Sequence, residues 1–481
     1  MMGTSVADGP ISRLAVSIAC VVYLVGYAGY CFTDPQLHSV RYLVYAVPAI
    51  LAAPLLFQGN ARSNKAASAY LLTYLSLGSL GYLMGVKDTG SFLNDFIIMV
   101  LIIVSFVPTI NVKVEHIRIV FFCSLAYFAL AFFVAGHEVR LFQILESGTG
   151  SGLEKGYDNN EGGLLGPIYA VFFYATGGRP QFLLALVMSL LGGKRIGVIA
   201  ILVGVVALFL FRRATALKEK RNRFIVLLVG LAVINIAASN LLSVSEYLHQ
   251  RLHISVQIEE IMLGRHAIAV EMAEDIDSRP LVKSLVGYGA GSANALAMLI
   301  SDGTLSEPHN DWLKILYDYG ILGSIIITVF IALVFSSSTT GAVIALTNAI
   351  IMTTDNVVIY LFYQFPIVLM VAYSSMRESR ASETAIAPEA QHDQGQAGMN
   401  SAISGSKPFV PGMRIACRPQ DADQQDGSER RRRTDSDRSH RLVPVRSRHR
   451  FKWPAVATMY YPRRAIRVPP PGPQGRPRDR P

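Results

Sequence analysis

Long apolar runs alternate with short polar turns along the first three-quarters of the chain. Spanning potential is highest at about 11–31, 40–57, 66–86, 92–110, 117–136, 163–177, 180–193, 196–211, 224–241, 320–335, 339–354 and 357–374. Most of these runs approach the roughly 20 residues a helix needs to cross a hydrocarbon core. The pattern therefore predicts an all-α, polytopic membrane helix bundle of about twelve spans. Two runs, 163–177 and 180–193, are short for a full crossing. As the half-crossing helices of a re-entrant hairpin, tolerated where protein surrounds them, they would lower the count to ten. The first run lacks a small-x-small cleavage site and is expected to be retained.

Two of the intervening loops are long. Residues 137–162 are rich in glycine and acids, and 242–308 form the largest piece of the body outside the apolar runs. Within the second, 256–276 reads as an amphipathic helix, with Ile258, Ile261, Met262 and Ile268 apolar and Glu259, Glu260, Glu271 and Glu274 polar. A glycine-rich turn, GYGAG at 287–291, follows. It lacks the strand–loop–helix setting of a nucleotide-binding fingerprint.

Composition agrees with a membrane body: hydrophobic residues make up 51% and charged residues 16%, against roughly 25% charged in ordinary globular chains. Charge divides the chain in two. Residues 377–481 hold 21 Lys+Arg and 11 Asp+Glu, leaving 23 of each sign in 1–376, so the net +10 belongs to the tail. That tail, with ERRRR at 429–433 and PPPGP at 469–473, is too polar to bury a core and is expected to be a disordered cytoplasmic segment. Its abrupt change of composition also fits an out-of-frame extension. Nucleic acid is not an expected partner of the body.

Basic residues in the short loops set the orientation. With the N-terminus inside, Arg13, Arg62, Lys65, Lys113, Arg118, Arg179, the cluster at 212–223, Arg377 and Arg380 all face the cytoplasm. The opposite face receives Arg41, Lys87, Arg140, Lys155, Lys194 and Arg195 in its shorter loops. Both termini are thus expected inside, and 137–162 and 242–308 outside. Cys20, Cys31 and Cys123 lie in apolar runs and Cys417 in the tail, without a C-x-x-C pair, as expected of buried inert thiols.

The most informative stretch is SEPHNDWLKILYDYGILGS, 306–324. Ser306 is placed to cap a helix whose first turn is Glu307, Pro308 and His309, proline being tolerated there. Trp312, Ile315, Leu316 and Tyr319 then share an apolar face, and Gly320 and Gly323 permit close packing. At a helix N-terminus the imidazole is disfavoured as a cation, and His309 becomes a candidate general base. Read alone, it is more simply a polar residue at a helix start.

The wider pattern decides between these. His309-Asn310 followed at the right spacing by Gly320 and Gly323 (H-N-x9-G-x-x-G) resembles the signature of the bacterial O-antigen ligase and O-antigen polymerase superfamily. The Arg265-bearing segment and GYGAG before it, in 263–294, look like that family's outer loop. GGKRIGVIA at 192–200 is similar to its basic turn, with Lys194-Arg195 where a Ser-Arg pair is usual. The resemblance implies a helix bundle with a large periplasmic loop in the bacterial inner membrane. It implies transfer of a glycan from undecaprenyl diphosphate to an acceptor hydroxyl on another glycan or on lipid A-core, with no metal or nucleotide-sugar cofactor. It further implies His309 as general base, Arg265 and Arg195 on the diphosphate, Lys194 and Asn310 as substrate-binding neighbours, and polysaccharide export proteins as possible partners.

The chemistry of these side chains agrees. A departing lipid diphosphate gains negative charge, and preorganised cations lower its barrier; the planar guanidinium matches phosphate oxygens best. Each also has a plainer reading: Arg195 as an interface cation, Arg265 as the partner of Glu259, Glu260 or Glu271. Arg140, and the acids Glu271, Glu274, Asp275 and Asp277, read as solvated. Asp95 and Asp355 fall at span ends and are expected to be wet. A secondary transporter or flippase is the rival reading, but it expects ionisable groups inside the spans, and the apolar runs carry almost none. A non-catalytic scaffold gives no reason for a His/Arg/Arg set on one face.

Overall fold

A computed structural model describes residues 10–31, 39–58, 62–83, 89–134, 160–192, 194–240, 266–301, 307–358 and 360–401. Helical backbone stands at every one of the predicted apolar runs. In chain order these are α1 (Pro10–Cys31), a 3-10 turn (Ser39–Ala46) leading into α2 (Val47–Phe57), α3 (Lys65–Leu83), α4 (Thr89–Phe106) and α5 (Val114–Val134). Then follow α6 (Asn160–Thr176), α7 (Arg179–Leu191), α8 (Arg195–Arg213) and α9 (Lys220–Ser239). Three short helices, α10 (His266–Ser278), α11 (Leu281–Val286) and α12 (Ser292–Ile300), precede α13 (Asp311–Phe335), α14 (Thr339–Ile351) and α15 (Leu361–Ser401).

Among the described residues, five stretches of helix are long and apolar enough to cross a bilayer: Pro10–Gly29, Ser39–Phe57, Ile196–Arg213, Lys220–Ser239 and Asp311–Phe335. Gly90–Phe106, Gly163–Thr176, Arg179–Leu191 and Thr339–Ile351 are apolar but shorter. Leu14, Val21, Leu202, Val233 and Ile236 are all more than half exposed, so the bundle presents an apolar exterior as well as an apolar core. With the several apolar helices, this is a multi-pass membrane protein. The pair α6 and α7 packs closely and turns at Gly177, which has φ 86°. Residues 164–173 of α6 are buried on every side, as suits a short helix enclosed by protein.

One continuous core runs through the bundle, joining α1 to α9 and α13 to α15. A second, smaller core holds Ile268, Ala269 and Met272 of α10 with Ala293 and Ala297 of α12 against Leu313 and Tyr317 of α13. Glu271 and Glu274 stay exposed, so the described part of the predicted amphipathic helix is amphipathic as read; residues 256–265 lie outside the described residues.

Two differences from the sequence reading stand out. Helical backbone of α15 continues to Ser401, past the boundary expected at 377. Glu378 on that helix pairs with Arg223 at 2.5 Å and accepts the Thr339 N–H at 2.8 Å. Arg223, counted above among loop charges, is buried, and its guanidinium also donates to the Ser336 carbonyl at 3.1 Å at the end of α13. Residues 402–481, like the loop at 137–159 with Arg140, lie outside the described residues.

Candidate active site

The site is built at the start of α13. The helix begins at Asp311, and its cap is Asn310, whose side-chain Oδ1 accepts the Leu313 N–H at 3.0 Å. This corrects the expected cap at Ser306, a residue outside those described. Asparagine serves because its amide has a second end: Nδ2 donates to the Ala238 carbonyl of α9 at 3.1 Å, tying the helix start to its neighbour. Both ends of its side chain are thus engaged with backbone, and the residue is 1% exposed.

His309 therefore precedes the helix instead of standing in its first turn, and it adopts a left-handed backbone with φ 54°. Such a conformation is uncommon for a residue with a Cβ and persists where the surroundings fix it. Here they do. The Asp311 N–H donates to the Met352 carbonyl at 2.9 Å, and Asp311 Oδ2 accepts the Val358 N–H at 2.9 Å. Trp312, fully buried, donates from Nε1 to the Ala349 carbonyl at 3.0 Å. Glu307 Oε2 accepts from Asn356 Nδ2 and from the Tyr360 hydroxyl, both at 2.9 Å. The His309 segment is thus stapled along the connection between α14 and α15.

That connection supplies Asp355, 5% exposed and not wet as expected. Its Oδ2 binds Lys194 Nζ at 2.5 Å, and its Oδ1 lies 3.6 Å from His309 Nδ1. Burial alone would raise the Asp355 carboxyl, but the adjoining His309 ring and Lys194 ammonium outweigh it and hold the group below its ordinary value. Lys194 reaches this point because the start of α8 lies against the start of α6. A side chain on Gly163 would fall 2.5 Å from the Lys194 stem, so only glycine leaves it room. Arg195 is the first residue of α8, but its side chain is outside the described set, and Arg265 lies wholly outside the described residues. The structure thus brings together His309 and Lys194 of the predicted residues and joins them through Asp355.

A second charged cluster was not foreseen. One turn beyond the cap, Lys314 is buried and contacts Asp95 of α4 and Asn294 Oδ1 of α12, the latter at 2.8 Å. Asp318, one turn further, is 3.5 Å from Lys314 and accepts the N–H groups of Gly291 at 3.2 Å and Ala293 at 2.7 Å. Asp95 is 2% exposed rather than wet. The near absence of ionisable groups expected inside the bundle is corrected accordingly. They were hidden because Lys314 and Asp318 occupy what reads as the polar face of an amphipathic helix, and here that face packs on α4 and α12.

The helix then breaks at Gly320, with φ 65° and ψ −166°. Carbonyls that lose their helical partners are taken up from the GYGAG turn and from Arg279, just past α10. Tyr288 N–H donates to Tyr317 O at 3.1 Å, Gly289 N–H to Asp318 O at 2.8 Å, and Arg279 Nη2 to Leu316 O at 3.2 Å. The glycine-rich turn is a cap for the first half of α13.

Comparison with known proteins bears on this region. A comparison with curated proteins finds no match. A family model described as O-antigen ligase matches residues 181–328, which contain Lys194, Arg195, Arg265, His309, Asn310, Gly320 and Gly323. The match runs from α7 into the second half of α13, so this part of the chain is similar to the O-antigen ligase family.

Proposed function

We propose that this chain is a glycosyltransferase of the bacterial inner membrane, working on the periplasmic face. It would transfer an undecaprenyl-diphosphate-linked oligosaccharide to an acceptor hydroxyl, joining repeat units into a polymer in the first reading and ligating a glycan to lipid A-core in the second. The observation that supports this best is the meeting of His309 and Lys194 at one buried carboxylate, within the stretch that is similar to the O-antigen ligase family.

In the proposed step, His309 takes the proton of the acceptor hydroxyl as its oxygen attacks the anomeric carbon. The bond from that carbon to the diphosphate breaks, and the diphosphate leaves with the electron pair. Lys194, Arg195 and Arg265 hold the charge that develops there. Asp355 faces Nδ1 and so favours the tautomer whose Nε2 is free to accept. Asn310, through its two backbone contacts, keeps His309 in place.

The rival reading, a transporter or flippase, is favoured by the ionisable groups Lys314, Asp95 and Asp318 inside the bundle. Against it, each of the three already contacts another, as in a fixed structural cluster. Purified protein incubated with a lipid-linked repeat, with and without lipid A-core, separates the readings. A ladder from the repeat alone indicates polymerisation, and product only with the core indicates ligation. No product in either, with counterflow of the repeat in liposomes, indicates transport.

A further inference from the structure

Glu307 stands two residues before His309, and both are held by one short stretch of chain: His309 faces Asp355, while Glu307 is bonded to its neighbour Asn356 and to Tyr360. The two side chains are thereby anchored on consecutive residues of that stretch, His309 at Asp355 and Glu307 at Asn356. Both hydrogen bonds to Glu307 end on Oε2, and Oε1 has no partner among the described residues. Glu307 is half-buried, so its carboxylate is fixed yet not sealed. The clamp continues inward to an open position: Asn356 is fully buried, and its Oδ1 finds no hydrogen-bond partner.

An ionised carboxylate only accepts hydrogen bonds. It suits a hydroxyl and repels a diphosphate. Among the described residues, the cation that meets Asp355 is Lys194, on the other oxygen from His309. Lys194 thus stands on the α8 side of Asp355, and Glu307 on the side of its neighbour Asn356. We propose that Glu307 is an acceptor-recognition residue, whose Oε1 accepts a hydrogen bond from a sugar hydroxyl next to the one His309 deprotonates. This rests on the transfer reading above and assigns its acceptor side.

The test uses the full chain in nanodiscs, with a lipid-linked repeat as donor. Two acceptors are titrated separately: the delipidated repeat, which has hydroxyls and no diphosphate, and lipid A-core. Glu307→Gln keeps the shape and an oxygen for Asn356 and Tyr360 but removes the charged acceptor. Losing a hydrogen bond to a charged group should raise KM for the acceptor by about 10-fold or more while KM for the donor stays within about twofold. A merely structural Glu307 would not divide the two constants. Tyr360→Phe loosens the clamp and should move the acceptor KM in the same direction by less, and it carries the test if Glu307→Gln fails to accumulate. An unchanged acceptor KM, or a rise confined to the donor KM, overturns the assignment while leaving the transferase reading intact. Absence of transfer by the unaltered protein to either acceptor overturns both.

Discussion

The Asp355 carboxylate faces His309 Nδ1 at 3.6 Å through one oxygen while its other oxygen holds Lys194 at 2.5 Å. Asp355→Asn keeps the volume and removes the charge that both neighbours face. For an outer partner of a functional imidazole the expected loss of kcat runs from roughly 10-fold to about 10⁴-fold where the partner sets the tautomer. Steady-state kinetics checks the size, and 15N shifts of histidine-labelled protein check the tautomer. An unaltered kcat would assign Asp355 to structure alone.

The same carboxyl has a pH signature. Its folded-state pKa lies below the ordinary value, so its stabilisation is fully present above about pH 4, where an unfolded-chain carboxyl is ionised. It is lost as pH falls through the lower folded-state value. Melting midpoints of the wild type should therefore drop in that acidic window by more than those of Asp355→Asn.

Lys314 is the hub of the second cluster, and Lys314→Met leaves Asp95 and Asp318 buried without their cation. Breaking a buried pair from one side costs about 3–5 kcal/mol. Lys314→Met combined with Asp95→Leu should recover part of that loss. Denaturation of the purified variants measures both, and equal stability of the wild type and the single variant would contradict the role.

Gly320 joins the half of α13 that carries the site to the half that runs on through the bundle. Its φ of 65° disfavours any other residue, and a Cβ there would lie 2.5 Å from the Leu285 carbonyl group. Gly320→Ala should cost about 1–3 kcal/mol from its positive-φ, extended-ψ backbone alone, and more from the displaced turn at 285–287. The melting temperature reports this. No change would mean that the kink is not fixed by this contact.

Much of this architecture is legible in the sequence because hydrophobic runs of spanning length leave the backbone little choice but helix. His309, Gly320 and Lys194 were legible through motif and spacing. Asp355 and Lys314 were not. An aspartate at the end of an apolar run looks solvated until the loop that buries it is known, and Asp355 gains its partners from 161 and 46 residues away in Lys194 and His309. Lys314 sits where helical periodicity places a wet face, and tertiary packing against α4 and α12 overrides that expectation. The Ser306 cap gave way for a local reason: a second capping residue stands four positions on, and the amide nitrogen of Asn310 also reaches a carbonyl of α9.

Transfer by His309→Ala is the most direct measurement of the central claim. Purified wild type and variant, inserted equally, are given the same lipid-linked repeat with and without lipid A-core, and product is counted over time. General-base loss predicts a rate about 10²–10⁴-fold below wild type, with the donor still bound. Transfer at the wild-type rate by the variant would contradict the assignment of His309.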